Sequence, residues 1–360
     1  MFISSRSVSS LCERLEPHRL FASVLLDHQE LHRPPRLVAD FDGDGMADLA
    51  LMTKHSKGAA GFGIDIFIND GQGAFNLRGH VDCDSGDPST KVVAADIAAG
   101  DVNGDLEPDI VAKLFLDDGT PVRAVMNLLI NTGRGNFDAR TPAHELTHIV
   151  QQRGHGGHRV IFDDDKDHLA VADLDGDGLG DIISVHGDKL AIVMMTKSGL
   201  QTSTTIPLNE VTVRGWDPKS KTVIVGIADL DGDRRPDLVL TIDDRLHYIP
   251  FDVDAAGSPS LGQKVNKIDA FTIKQRTVVQ LGDFDRDGNR DDFYVDNGLN
   301  DAVIGINNLD IGAGIAEDQF KANPRHRTAQ VLIGDIDGDG VDELFAFTGG
   351  CCKGHVTVLK

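Results

Sequence analysis

From Arg36 onward the chain alternates short apolar runs with breaks rich in glycine and aspartate, and helical periodicity is hard to find. Runs such as Leu169-Ala-Val-Ala172, Thr222-Val-Ile-Val-Gly-Ile-Ala228 and Asp237-Leu-Val-Leu-Thr-Ile242 have the length and β-branched content of strands. They recur in a fixed order. A first strand runs into an acidic nonapeptide, and a second strand leaves it, so the nonapeptide reads as the connection of a β-hairpin. A third strand follows, visible over residues 63–68, 125–130, 190–195, 246–251 and 303–307. Turns rich in Asn and Gly come next, clearest over 69–75 and 131–137, and a fourth, weaker strand leads to the next unit. Four antiparallel strands in about 50 to 60 residues is the size of one blade of a propeller.

The nonapeptides carry the chemistry. They are DFDGDGMAD (40–48), DVNGDLEPD (101–109), DLDGDGLGD (173–181), DLDGDRRPD (229–237), DFDRDGNRD (283–291) and DIDGDGVDE (335–343). Oxygen-bearing side chains stand at positions 1, 3, 5 and 9 of each. They are Asp40, Asp42, Asp44 and Asp48; Asp101, Asn103, Asp105 and Asp109; Asp173, Asp175, Asp177 and Asp181; Asp229, Asp231, Asp233 and Asp237; Asp283, Asp285, Asp287 and Asp291; Asp335, Asp337, Asp339 and Glu343. Glycine at positions 4 and 6 of the opening and third copies lets the backbone curl so that these groups converge. Hard oxygen donors at this density specify a hard cation. Ca²⁺ takes six to eight oxygens, and the alternation of ligand and spacer matches the first half of an EF-hand loop, with position 7 supplying a carbonyl. Mg²⁺ fits less well because it keeps several waters.

Flanking residues place these loops. The residue before position 1 is Ala39, Gly100, Ala172, Ala228, Gly282 or Gly334, always small, as the innermost strand of a crowded radial array requires. Position 2 is Phe41, Val102, Leu174, Leu230, Phe284 or Ile336, always apolar, which plugs each loop into the packing between neighbouring sheets.

Charge changes the picture only in one respect. The net charge of −22 comes from 57 acids against 35 bases, and 23 of the acids are the carboxylates just named, so the rest of the chain is balanced. Up to six bound Ca²⁺ would bring −22 to −10, and metal binding should be a large part of folding stability. Nucleic acid is excluded as a partner by the lack of a basic patch. No run of 18 or more apolar residues spans a membrane. The four cysteines, Cys12, Cys83, Cys351 and Cys352, are too few for a disulfide-built fold and read as buried or free.

Over residues 36–360 the chain resembles the FG-GAP and VCBS repeat family, the calcium-bearing blades of the integrin α head and of many bacterial surface proteins. The DxDxDGxxD loop carries the resemblance, and Gly61-Phe62-Gly63 is a fragment of the FG signature. It implies side-chain ligands at positions 1, 3, 5 and 9 of all six loops, with the second loop weakest because of Asn103 and Leu106. The fold expected is all-β: a six-bladed propeller of four-stranded antiparallel blades, rather than the seven blades of integrin heads. After the last loop only two strands remain, over 344–348 and 355–359, so the last blade needs an outer strand. Residues 21–26 could supply it and close the ring.

Residues 1–35 are unlike the repeats and form an export and closure segment. Glu13-Arg-Leu-Glu-Pro-His-Arg-Leu-Phe-Ala22 resembles the LEPRxLL segment of exported, repeat-rich bacterial proteins, with His18 in place of Arg. The resemblance implies a secreted or cell-surface protein. Calcium loops agree, since sites of about 10⁻⁴ to 10⁻³ M affinity are useful only outside the cytosol.

The longest interval between loops holds Ala143-His-Glu-Leu-Thr-His148, in which His144 and His148 could bind zinc with Glu145 as general base. The string looks like the active-site helix of zinc peptidase-like domains of bacterial toxins. The same letters also read as strand, and they fall where a blade needs its outer strand. A third ligand is open among His155, His158 and the aspartates of 163–165. A strand or rim excursion is the preferred reading over a peptidase. Cys351, Cys352 and His355 lack zinc spacing and read as an ordinary turn, and 163–167 as a solvated loop. The function expected is non-catalytic binding of a protein or glycan at a cell surface or in a matrix. The zinc peptidase, or a hydrolase or lyase in the central funnel, is the alternative.

Overall fold

The computed structural model describes residues 24–26, 36–54, 61–84, 91–117, 123–140, 167–186, 189–207, 222–242, 245–262, 266–268, 278–296, 302–307, 316–318, 330–350 and 353–359, except positions 73, 198 and 256. The described residues are built from strands throughout. The expectations for the export segment before residue 24, for the HELTH string at 144–148 and for Cys12, Cys351 and Cys352 lie outside them.

The strands assemble into antiparallel sheets in chain order. Sheet 1 is Arg36–Ala39, Asp48–Lys54, Gly61–Asn69 and Phe75–Asp84. Sheet 2 is Lys91–Gly100, Asp109–Asp117, Arg123–Asn131 and Phe137–Arg140. Sheet 3 is Asp167–Ala172, Asp181–His186, Lys189–Thr196 and Gly199–Pro207. Sheet 5 is Val278–Gly282, Asp292–Asp296, Ala302–Ile306 and Ala316–Asp318. Sheet 6 is Gln330–Gly334, Glu343–Gly350 and Lys353–Leu359, with Val24–Leu26 hydrogen-bonded along its outer side in the register Val24↔Val356, Leu25↔His355, Leu26↔Gly354. These five are the four-stranded blades of a propeller. The expected six four-stranded blades are thereby corrected to five, because sheet 4 departs from the common plan. Beyond Thr222–Ala228, Asp237–Ile242 and Arg245–Val253 it carries two short strands, Pro259–Leu261 and Asn266–Ile268, each pairing with a different stretch of the third strand.

Both faces of each sheet are covered, which explains why the strands read as apolar runs rather than as clean alternation. In sheet 1, Leu49 and Leu51 face sheet 6, where they cluster with Ile336, while Ala50 and Met52 point the other way into a cluster with Ile97, Ile110, Ala112 and Leu114 of sheet 2. The same sharing recurs between sheets 2 and 3 (Val111 with Ile182), 3 and 4 (Ile192 with Leu240), 4 and 5 (Val239 with Phe293) and 5 and 6 (Tyr294 with Leu344). The core is thus a set of thin layers between sheets. At roughly 25 cal/mol per Å² of apolar surface removed from water, these layers supply most of the driving force. Cys83 is buried in the layer between sheets 1 and 2. One layer holds a charge: Lys113 of sheet 2, 2 % exposed, donates to Ser184 Oγ of sheet 3 at 2.7 Å, with its ammonium 4.8 Å from the centre of the Phe115 ring.

The small residue ahead of each loop has its predicted reason. A Cβ at Gly334 would sit 2.5 Å from Val38 Cγ1 of sheet 1, one at Gly282 would sit 2.6 Å from Ile333 Cγ2, and one at Gly100 would collide with Val171. In each case the obstacle is the first strand of the next sheet. Gly334→Val should therefore cost about 1–3 kcal/mol or more in unfolding free energy, read by chemical denaturation, because it overpacks a joint between two sheets. An unchanged midpoint would contradict this packing.

Candidate metal-loop face

Every acidic loop joins the first strand of its sheet to the second, and its backbone follows one pattern. Positions 4 and 6 are left-handed in all six, for example Gly43 and Gly45 at φ 77° and 87°, and Gly338 and Gly340 at 73° and 86°. Three of these twelve places carry a side chain all the same: Leu106 (φ 71°), Arg234 (67°) and Arg286 (68°). The left-handed turns aim successive N–H groups at the position-1 carboxylate. Asp173 Oδ1 accepts from Gly176 N–H (2.7 Å) and Asp177 N–H (3.2 Å), and its Oδ2 from Gly178 N–H (2.9 Å). Asp40, Asp101, Asp229, Asp283 and Asp335 are held in the same way. Position 5 is turned to the loop itself: Asp44, Asp105, Asp177, Asp233, Asp287 and Asp339 each accept from the N–H two residues on.

Position 9 opens the second strand and is buried. One oxygen of Asp48 accepts from Phe41 N–H and the other from Asn69 N–H, both at 2.8 Å. Asp109 and Asp181 repeat this with Val102 and Asn131, and with Leu174 and Met195. Burial, only partly offset by those N–H groups, lifts these carboxyls from 3.8 to about 7 for Asp48 and about 6 for Asp109 and Asp181. Asp237 is likewise pushed up to about 7 by burial.

In the fifth loop the structure corrects the sequence reading. The carboxylate that accepts from Phe284 N–H and Asn307 N–H, at 2.7 Å each, is Asp292, not Asp291. Gly282 pairs with Asp292 in the ladder, as Ala39 pairs with Asp48, so this loop is one residue longer than the nine-residue template. Asp291 instead accepts from the side-chain amide of Asn307. Burial lifts Asp292 to about 7.

Carboxylate oxygens gather within 4.8 Å of one another in five loops: Asp40, Asp42 and Asp48; Asp173, Asp175 and Asp181; Asp229, Asp231 and Asp237; Asp283, Asp285 and Asp292; and Asp335, Asp337 and Asp339. Position 5 joins the group only in the last. The second loop forms no such acidic group among the described residues, and its Asn103 amide donates to Asp105 at 3.0 Å. The donor set fits a hard divalent cation: it is all oxygen, and Asp42 Oδ1 is buried with no hydrogen-bond partner. Glu107, position 7 of the second loop, leans over Gly43 of the first, with its Oε2 buried and likewise unpartnered.

Sequence reasoning missed what joins the loops. Asn69, Asn131 and Asn307, each at the end of a third strand, donate a side-chain N–H to the position-2 carbonyl of another loop: Ile336, Phe41 and Leu230, at 2.8, 2.8 and 3.0 Å. In addition, the position-8 N–H of Ala47, Gly180 and Asp342 donates to the position-1 carbonyl of Asp335, Asp101 and Asp283. An Asn closing the third strand of sheets 1, 2 and 5 was the available signal, and Met195 holds that place in sheet 3. As predicted, position 2 is buried at Phe41, Val102, Leu174, Leu230 and Ile336, and Phe284 is part-buried.

A β-propeller whose blades each begin with an acidic hairpin loop is the class these observations define. The chain carries FG-GAP-like repeats, whose sequence profile matches residues 40–112 and 173–240. A search of the curated proteins returned no match. Among solved structures, a lectin of Agrocybe aegerita that recognises non-reducing terminal N-acetylglucosamine is similar in fold, with 18 % identity, 91 % of this chain and 80 % of that one covered, and a TM-score of 0.51. A Lactobacillus plantarum protein (12 % identity, 93 % and 86 % covered, TM-score 0.43) and the Aleuria aurantia lectin bound to α-methyl-L-fucoside (9 %, 92 % and 96 %, TM-score 0.43) are looser matches, and nothing below rests on them. No helix among the described residues is long and apolar enough to cross a membrane.

Proposed function

We propose that this chain is a calcium-stabilised propeller, closed into a ring, that binds glycans outside the cell and performs no chemistry on them. The observation that carries the calcium part is the recurrence of one carboxylate cage on one backbone pattern, with a buried acceptor, Asp42 Oδ1, left for a cation. Each ion would be held by positions 1, 3 and 9 in loops one, three and four, by Asp283, Asp285 and Asp292 in loop five, and by Asp335, Asp337 and Asp339 in loop six. Its chemistry would be charge neutralisation: the loops hold most of the excess negative charge, and removing their mutual repulsion favours the compact state. Closure of the ring is supported by the stitches from Ala47 and Asn69 of sheet 1 to Asp335 and Ile336 of sheet 6, and by the strand Val24–Leu26 on the free edge of sheet 6.

Glycan binding is supported by the likeness to the Agrocybe aegerita lectin over nine-tenths of the chain, and export by the N-terminal resemblance. A printed glycan array probed in calcium and again in EDTA tests the reading. We expect calcium-dependent hits. Silence in both conditions would overturn glycan binding, and hits of equal strength in EDTA would overturn the role given to the ions.

A further inference from the structure

Two loops of the face differ from the rest in charge. Loop four reads Asp229-Leu-Asp-Gly-Asp-Arg-Arg-Pro-Asp237, and its Arg234 stands at position 6, where loops one, three, five and six place Gly45, Gly178, Gly288 and Gly340 at φ 86° to 89°. Arg234 holds φ 67°, a conformation that a β-carbon disfavours and that Leu106 shares at position 6 of loop two. Loop five also carries arginines, but one of them is spoken for. Arg290 pairs with Asp342 of loop six at 3.0 Å and donates to the Ile333 carbonyl.

Arg234 and Arg235 are exposed, and among the described residues neither guanidinium has an ion-pair partner. Both line a cleft of about 470 Å³ between loops three and four, within the size range of small-molecule sites. Asp175 and Gly176 of loop three form one wall. Val253, Asp254 and Gly257, from the turn after the third strand of sheet 4, form the other. Its lining also carries three carboxylates: Asp175, a member of the loop-three group; Asp233, which accepts from Arg235 N–H; and Asp254, which accepts from Ser258 N–H at 2.9 Å. Beside them the cleft offers an outside molecule two unpaired planar cations, a small apolar wall at Val253 and open backbone at two glycines.

We infer that this cleft is a subsite for an acidic saccharide, the carboxylate of a uronic or sialic residue lying against Arg234 and Arg235 while the sugar ring packs on Val253. Guanidinium forks suit a carboxylate bidentately, and an apolar side chain suits the C–H face of a pyranose. The inference rests on the glycan reading above and names the class of glycan and the place.

The test uses the full chain in calcium buffer on an array of glycans capped with sialic, glucuronic or galacturonic acid beside their neutral cores, followed by titration calorimetry on the best acidic glycan and its core. Acidic caps should bind at least about tenfold more tightly than their cores, the worth of one charge-assisted hydrogen bond. Arg235→Ala and Arg234→Gly should each lose about that factor. Arg234→Gly is the informative variant, because glycine suits the left-handed backbone: its melting temperature should hold or rise while binding falls. If neutral cores bind as well as acidic ones, or the variants bind as wild type, the arginines serve only to balance loop charge and the inference fails while the glycan reading stands. If no glycan binds at all, both fail.

Discussion

Withdrawing calcium at pH 8 should lower the melting temperature by roughly 20 °C. A site at a hundredfold excess of ion over its dissociation constant contributes about 2.7 kcal/mol, several such sites act together here, and one kcal/mol is worth about 2–4 °C even in smaller domains. The pH dependence gives this result a second signature. Asp48, Asp237 and Asp292 are lifted to about 7, and Asp109 and Asp181 to about 6, against 3.8 for an ordinary aspartate. A carboxyl raised in the folded state favours folding in its protonated form. Without metal its contribution is intact below about pH 4 and is lost as the pH climbs through 6 to 7. In EDTA the protein should thus melt at higher temperature at pH 5.5 than at pH 8. In calcium the order should reverse, since the ion displaces those protons. Melting curves at the two pH values, with and without metal, check both statements. Equal curves in EDTA and calcium at pH 8 would remove calcium from the account.

Removing residues 1–30 should lower the melting temperature by about 5 °C or more and make the protein prone to association, because it takes Val24–Leu26 off the edge of sheet 6. A shorter truncation, of residues 1–20, leaves that strand in place and should melt as the full chain does. The pair of truncations separates a sealing strand from a dispensable leader. Should both melt alike, the strand contributes nothing to stability, and sheet 6 must be complete with three strands.

Much of this arrangement is legible in the letters, because short apolar runs and acidic loops are local signals. Phe41, Leu174 and Ile336 announce their burial by type and place, and Gly100, Gly282 and Gly334 announce crowding by lacking a side chain. What was hidden depends on partners distant in sequence. Asp291 fits the nine-residue spacing better than Asp292, and only the pairing of Gly282 in the ladder shows the extra residue. Asn131 looks like an ordinary turn residue until Phe41, ninety positions earlier, presents its carbonyl. The inward turn of Asp44 and its counterparts toward the backbone is invisible for a related reason: a carboxylate reads as a ligand whether it faces an ion or an N–H. Loop two shows the opposite case, since Asn103 stands out in the letters and no group of three acidic side chains gathers there among the described residues.

The pairing of Val24 with Val356 has a kinetic side. Sheets 1 to 5 each draw on one contiguous stretch of chain and can form as soon as that stretch is free, whereas sheet 6 must bring Val24–Leu26 to Lys353–Leu359 across all the other sheets' sequence. That step has the greatest loop-closure entropy in the molecule, so it comes last and slowest. Until that step occurs the edge of Lys353–Leu359 stays bare, open to pairing with another chain, and Val24–Leu26 is the segment that covers it.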